Sequence, residues 1–169
     1  MHSVFSEASV PNPRILVVDD EVSVREGLGR SLHGTGYEVI FADGPESALT
    51  ILRDEPVDVV VSDHLMPGMT GLEFLKVVRD RHPDTVRIML TGHADLETVV
   101  EAINQGEIYR FLHKPCDRTT LRVTLHLALE KLELERENRR LLALIRTQPE
   151  LAQRIELVSR DRESRRVTL

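Results

Sequence analysis

Strand and helix signals alternate five times between residues 14 and 130, and that rhythm leaves few folds open to this chain. Short runs at 14–18, 37–41, 57–62, 86–90 and 108–112 are β-branched and apolar nearly throughout, as strands covered on both faces must be. The helices between them carry start signals. Asp43-Gly44-Pro45-Glu46 reads as an N-cap, then proline in the first turn, then an acid facing the helix dipole. Thr70-Gly71-Leu72-Glu73 is a capping box ahead of Phe74, Leu75, Val77 and Val78. Asp95 opens the helix that carries Leu96, Val99, Val100 and Ile103, and Asp117 caps the last one. The first helix, over 21–33, is weaker, because Gly27 and Gly29 each cost it about 1 kcal/mol relative to alanine. Gly34 ends it. Five such units predict an α/β fold: a doubly wound, five-stranded parallel sheet with helices on both faces.

In a parallel sheet the carboxyl ends of all strands share one edge, and ligands bind there. Here each strand end but the second carries chemistry. Asp19 and Asp20 follow the first strand, Asp63 the third, Thr91 the fourth and Lys114-Pro115 the fifth. Three carboxylates, a hydroxyl and an ammonium are the equipment for holding a divalent cation beside a carboxylate that accepts a phosphoryl group. Any one of these is a weak signal: acids cap helices, Thr91 before Gly92 suits a turn, and Lys114 alone reads as a surface lysine. In order at strand ends, with gaps of 43, 28 and 23 residues, they are a strong one.

These residues resemble the receiver domain of bacterial two-component response regulators, with its flavodoxin-like fold. The matching elements are Val17-Val18-Asp19-Asp20-Glu21, Asp63-His64-Leu65-Met66-Pro67-Gly68-Met69-Thr70-Gly71, Thr91-Gly92 and Lys114-Pro115. The resemblance implies Asp63 as phosphoacceptor, with a sensor histidine kinase or phosphotransfer protein as donor. It implies Mg2+ held directly by Asp20, Asp63 and the backbone carbonyl of Leu65, and by Asp19 through water. It further implies a cis Lys114-Pro115 bond, Lys114 on the phosphoryl group, Thr91 as switch hydroxyl, and a responsive surface on the fourth helix, fifth strand and fifth helix. Phe111, three residues before Lys114, matches the switch aromatic; as an apolar strand residue it also suits the core.

Two stretches depart from the commonest receiver pattern. Asn104–Phe111 is one residue longer before Lys114, as in receivers joined to HD-GYP-type phosphodiesterases and to certain transcription activators. Leu65 and His93 stand two residues after Asp63 and Thr91, and Leu65 has no polar group to orient a hydrolytic water. Slow spontaneous loss of phosphate is therefore expected.

The chain divides by sequence into a loose leader (1–13), a receiver (14–130) and a helical extension (131–169). Aromatics are 4% and tryptophan is absent, so the core must be aliphatic. Residues 1–117 carry 10 basic and 20 acidic side chains, against 12 and 8 beyond, so nucleic-acid binding by the body is not expected. Cys116 is the lone cysteine, which excludes an internal disulfide and fits a reducing cytoplasm. No signal-peptide pattern and no membrane-spanning apolar run is present.

The fifth helix is expected to run past the sheet. Leu121, Leu125, Ala128, Leu129 and Leu132 suit docking on it. Leu127, Leu134, Asn138, Leu141 and Ile145 make a second seam with coiled-coil spacing and one polar position. That seam needs another surface: a second copy, giving a homodimer, a different partner, or its own domain. A break at Pro149 precedes a terminal helix with Leu151, Ile155 and Val158. The expected role is signalling rather than enzymatic. The alternatives are a Mg2+-dependent phosphatase with an aspartyl nucleophile, which usually needs Asp-x-Asp after its first strand, and a DNA-binding regulator using the Arg-rich tail.

Overall fold

A computed structural model describes residues 11–92 and 96–147. The leader up to residue 10, His93, the Asp95 cap and the terminal helix beyond Pro149 lie outside the described residues. The elements alternate as β1 (Arg14–Val18), α1 (Val22–Leu32), β2 (Glu38–Ala42), α2 (Pro45–Asp54), β3 (Val59–Asp63), α3 (Gly71–Arg81), β4 (Val86–Thr91), α4 (Leu96–Asn104), β5 (Arg110–His113) and α5 (Arg118–Thr147). The five strands form one sheet in the order β2-β1-β3-β4-β5, every neighbouring pair parallel.

Side chains alternate across the strands, so each strand feeds two cores. Ile15, Val17, Val59, Val61, Ile88 and Leu90 pack with Leu28 and Leu32 of α1 and with Leu121, Leu125, Ala128 and Leu132 of α5. Leu16, Val18, Val60 and Met89 pack on the opposite face with Ala48 and Leu52 of α2 and Phe74, Leu75 and Val78 of α3. The three central strands meet the expectation of double coverage. The edge strands do not: Glu38 and Phe41 on β2, and Arg110 and His113 on β5, are exposed, because each edge strand has a neighbour on one side only.

Two of the cap signals act as expected. Thr70 and Glu73 form the reciprocal capping box of α3, and Asp117 Oδ1 accepts the Thr119 and Thr120 N–H groups at 2.9 and 3.0 Å. The Asp43 cap is displaced by one residue. Gly44 is the N-cap of α2, and Asp43 instead accepts the Ser47 hydroxyl at 2.6 Å, a bond that holds its carboxyl below the ordinary range. Gly29 is more than a cost to α1: a Cβ there would stand 2.9 Å from the Phe41 ring.

The strand beginning expected at residue 57 starts at Val59 instead. The Asp58 backbone still bonds to both sides, its N–H donating to the Arg14 carbonyl at 3.0 Å and its carbonyl accepting the Val86 N–H at 2.9 Å, while its carboxylate accepts the Arg14 N–H at 2.8 Å. The stretch before Lys114 turns at Gly106 (φ 71°). Arg87 holds it, donating to the Glu107 and Gly106 carbonyls at 2.8 and 3.1 Å. The buried Glu107 carboxylate pairs with Lys76 and Arg79 of α3 at 3.2 and 3.6 Å.

Two units divide at Leu132 and Glu133. In the second, among the described residues, Leu134 is 72% exposed, and Leu141, Leu142 and Leu144 are also exposed.

Candidate functional site

The register of the sheet assembles the site. Val18 pairs with Ser62, so the residues that follow them, Asp19 and Asp63, emerge side by side from β1 and β3. Asp63 pairs with Leu90, and Thr91 at the end of β4 pairs with His113, the residue before Lys114. The strand order reverses at β1 and β3, the point at which open α/β sheets leave a crevice for ligands.

Asp19 is 0% exposed, yet its carboxylate is satisfied. Oδ1 accepts the Glu21 N–H at 2.9 Å, and Oδ2 accepts Lys114 Nζ at 2.6 Å. The same ammonium lies 2.9 Å from Asp63 Oδ1. Carboxylate oxygens of Asp19, Asp20 and Asp63 all lie within 4.8 Å of one another, and Asp20 is exposed. Burial alone would lower the Lys114 pKa, but its hydrogen bonds to Asp19 and Asp63 and their charges outweigh burial and raise it above the ordinary lysine value. One ammonium cannot balance three carboxylates. The surplus negative charge and all-oxygen donor set suit a hard divalent cation such as Mg2+, which takes few carboxylates and keeps several waters. Thr91 is 1% exposed, and its hydroxyl oxygen is buried with no hydrogen-bond partner among the described residues.

Comparison with known proteins bears directly on this pocket. Residues 15–126 match the model of the response regulator receiver domain. The chain belongs to the response regulator receiver family. It is 38% identical over 141 residues to the hydrogenase transcriptional regulatory protein HoxA of Cupriavidus necator, covering 83% of this chain and 29% of that protein. It is 40% identical over 103 residues to the DNA-binding transcriptional regulator NtrC of Escherichia coli, covering 61% of this chain and 22% of the relative. This receiver thus spans less than a third of the relatives it matches. Among solved structures, the signal receiver domain of an HD domain-containing protein from Pseudomonas fluorescens Pf-5 superposes with a TM-score of 0.72 at 39% identity, covering 76% of this chain and 94% of that one. Aspartyl phosphorylation and Mg2+ binding are general features of the receiver family.

The remaining residues of interest fall around this receiver's acidic cluster. Lys114-Pro115 is cis, and the Lys114 N–H donates to the Thr91 carbonyl at 2.9 Å, tying the fourth and fifth strand ends together. Leu65 lies in the loop after β3 with its side chain 67% exposed. Phe111 is half-buried, packs against the core on the α2–α3 face, and meets His113 edge-on with ring centroids 5.3 Å apart.

Two contributors escaped the sequence reading. In the sequence Gly71 reads only as part of a capping box and motif, yet a Cβ there would stand 1.9 Å from the Asp63 carbonyl oxygen. Its N–H donates to the His64 carbonyl at 2.7 Å, so α3 begins in contact with the acidic strand end. Arg25 of α1 donates from Nη1 to the Asp19 carbonyl at 2.5 Å. A glycine at the first helical position hints at the first; nothing in the spacing signals the second.

Proposed function

We propose that Asp63 is the phosphoacceptor of this receiver and that the pocket switches a surface used by a partner or a second copy. The observation that carries this reading is the Lys114 ammonium within 3 Å of both the Asp19 and Asp63 carboxylates, in a pocket where the buried Thr91 hydroxyl has no partner among the described residues. In the reaction an Asp63 carboxylate oxygen attacks phosphorus. The new P–O bond forms as the P–N bond to the donor's phosphohistidine breaks, and the electron pair leaves with the imidazole. Lys114 offers a mobile positive charge to the phosphoryl oxygens. Thr91 offers its hydroxyl as a donor to one of them, and Phe111 follows its movement. Asp20, Asp63 and the Leu65 carbonyl would hold Mg2+, with Asp19 behind a water; the cation supplies charge neutralisation between carboxylates and phosphoryl oxygens.

The donor is a sensor histidine kinase or a phosphotransfer protein, and the setting is the cytoplasm. Among the described residues no helix is long and apolar enough to cross a membrane. The receiver occupies residues 14–130 and the helical extension 131–169, whose exposed leucines support self-association through α5.

Incubation with acetyl phosphate and Mg2+, read by intact mass, tests the reading. The parent should gain one phosphoryl group per chain and Asp63→Asn none. Labelling of Asp63→Asn equal to the parent's, or steady turnover of a phosphomonoester in place of a single modification, would reject it.

A further inference from the structure

The turn that presents Asp19 and Asp20 lacks the usual anchor. Glu21 is the N-cap of α1 and makes no side-chain capping bond; the local tie comes from the Asp19 carboxylate, which accepts the Glu21 N–H. Every polar group of Asp19 is nonetheless paired. Its N–H donates to the Ala42 carbonyl at 3.2 Å. Its carboxylate oxygens take the Glu21 N–H and Lys114. Its carbonyl, just beyond the last β1 ladder position, takes the guanidinium of Arg25. Arg25 is half-buried and sits in the first turn of α1, so it reaches back over the turn and closes it from the helix side. Its charge is also felt by Asp43 in the β2–α2 loop.

We infer that Arg25 is a positioning residue: it pins the Asp19 carbonyl to α1 and thereby holds the Asp19-Asp20 turn in the geometry that accepts the cation. The inference rests on reading that cluster as a metal site. Charge and geometry make opposite predictions here, which gives the test its sign. By Coulomb's law alone, removing a positive side chain near three carboxylates should tighten Mg2+ binding. If Arg25 holds the turn, removing it should weaken binding, as loss of an outer-shell support does for metal sites.

The experiment uses the full 169-residue chain. Parent, Arg25→Met and Arg25→Gln are compared by residue-resolved amide exchange without metal and by calorimetric Mg2+ titration. The Glu21 amide, which donates to Asp19, should exchange roughly tenfold faster in both variants, while the Val61 amide in β3 stays as protected as in the parent and reports an intact fold. The Mg2+ dissociation constant should rise about tenfold. Unchanged Glu21 exchange, or tighter Mg2+ binding in the variants, would overturn the inference. A parent chain that takes up no Mg2+ rejects the metal reading instead, and the Glu21 exchange rate then decides the role of Arg25 by itself. If Arg25→Met does not fold, Arg25→Gln carries both measurements with the same expected signs.

Discussion

Single atoms decide much of this pocket, and Gly71 is the sharpest case. With its Cβ position 1.9 Å from the Asp63 carbonyl oxygen, no side chain fits without moving α3 or β3. Gly71→Ala should lower folding stability by about 1–3 kcal/mol in urea titration and slow acetyl-phosphate labelling as Asp63 shifts. Leu65 makes the opposite kind of prediction, since its exposed side chain carries little of the fold. Leu65→Asn gives a hydrolytic water a polar partner, so the acyl phosphate should be lost faster; a longer lifetime would refute the expectation of slow loss in the parent. Lys114 sets a pH limit. Its pKa is raised in the folded chain, so the stability it contributes is intact below the unfolded lysine value of about 10.4 and is lost as pH rises through the folded value. Thermal unfolding should show the parent's advantage over Lys114→Met shrinking across the alkaline side of that value and not at neutral pH. Asp19, Asp63 and Lys114 were legible in the sequence because their chemistry is specific to residue type and each follows a strand. Gly71 and Arg25 were not, because a close approach and a reach to a backbone carbonyl are tertiary distances with no period in the chain.

Among the elements, α1 is where sequence and structure part most usefully. Its two glycines look alike on a propensity scale, but their surroundings differ. A Cβ at Gly27 would meet only the Arg30 side chain at 3.8 Å, whereas one at Gly29 would press on the Phe41 ring of β2. Gly27→Ala should therefore stabilise the protein by about 0.4–1 kcal/mol, and Gly29→Ala should lose that gain, both measured by urea unfolding. The strand ends tell a similar story. Apolar runs located all five strands, but their exact starts differ by up to two residues, because pairing with a neighbouring strand and not the apolar run sets them. Caps were readable where a side chain could reach its own helix, as at Thr70 and Asp117, and misread at Asp43, where a neighbouring serine competes.

Across the whole molecule, the alternation of strands and helices was enough to give the sheet, and the family match accounts for residues 15–126. What α5 does beyond Leu132 was legible only as an unmet need. Leu134 and Leu141 are exposed apolar positions, and the proposed self-association would cover them. Light scattering on the parent should report a dimer, and Leu134→Lys with Leu141→Lys a monomer; a parent that stays monomeric at high concentration would remove self-association from the proposal.

Lys114, the counterweight to two of the acids, stands just after β5, far along the chain from either of them. A nascent chain that has emerged only through β4 already carries Asp19, Asp20, Asp63 and Thr91 but no ammonium between them. The charge balance of the acidic end is therefore a property of the finished sheet: it depends on β5 lying beside β4 as much as on the acids themselves.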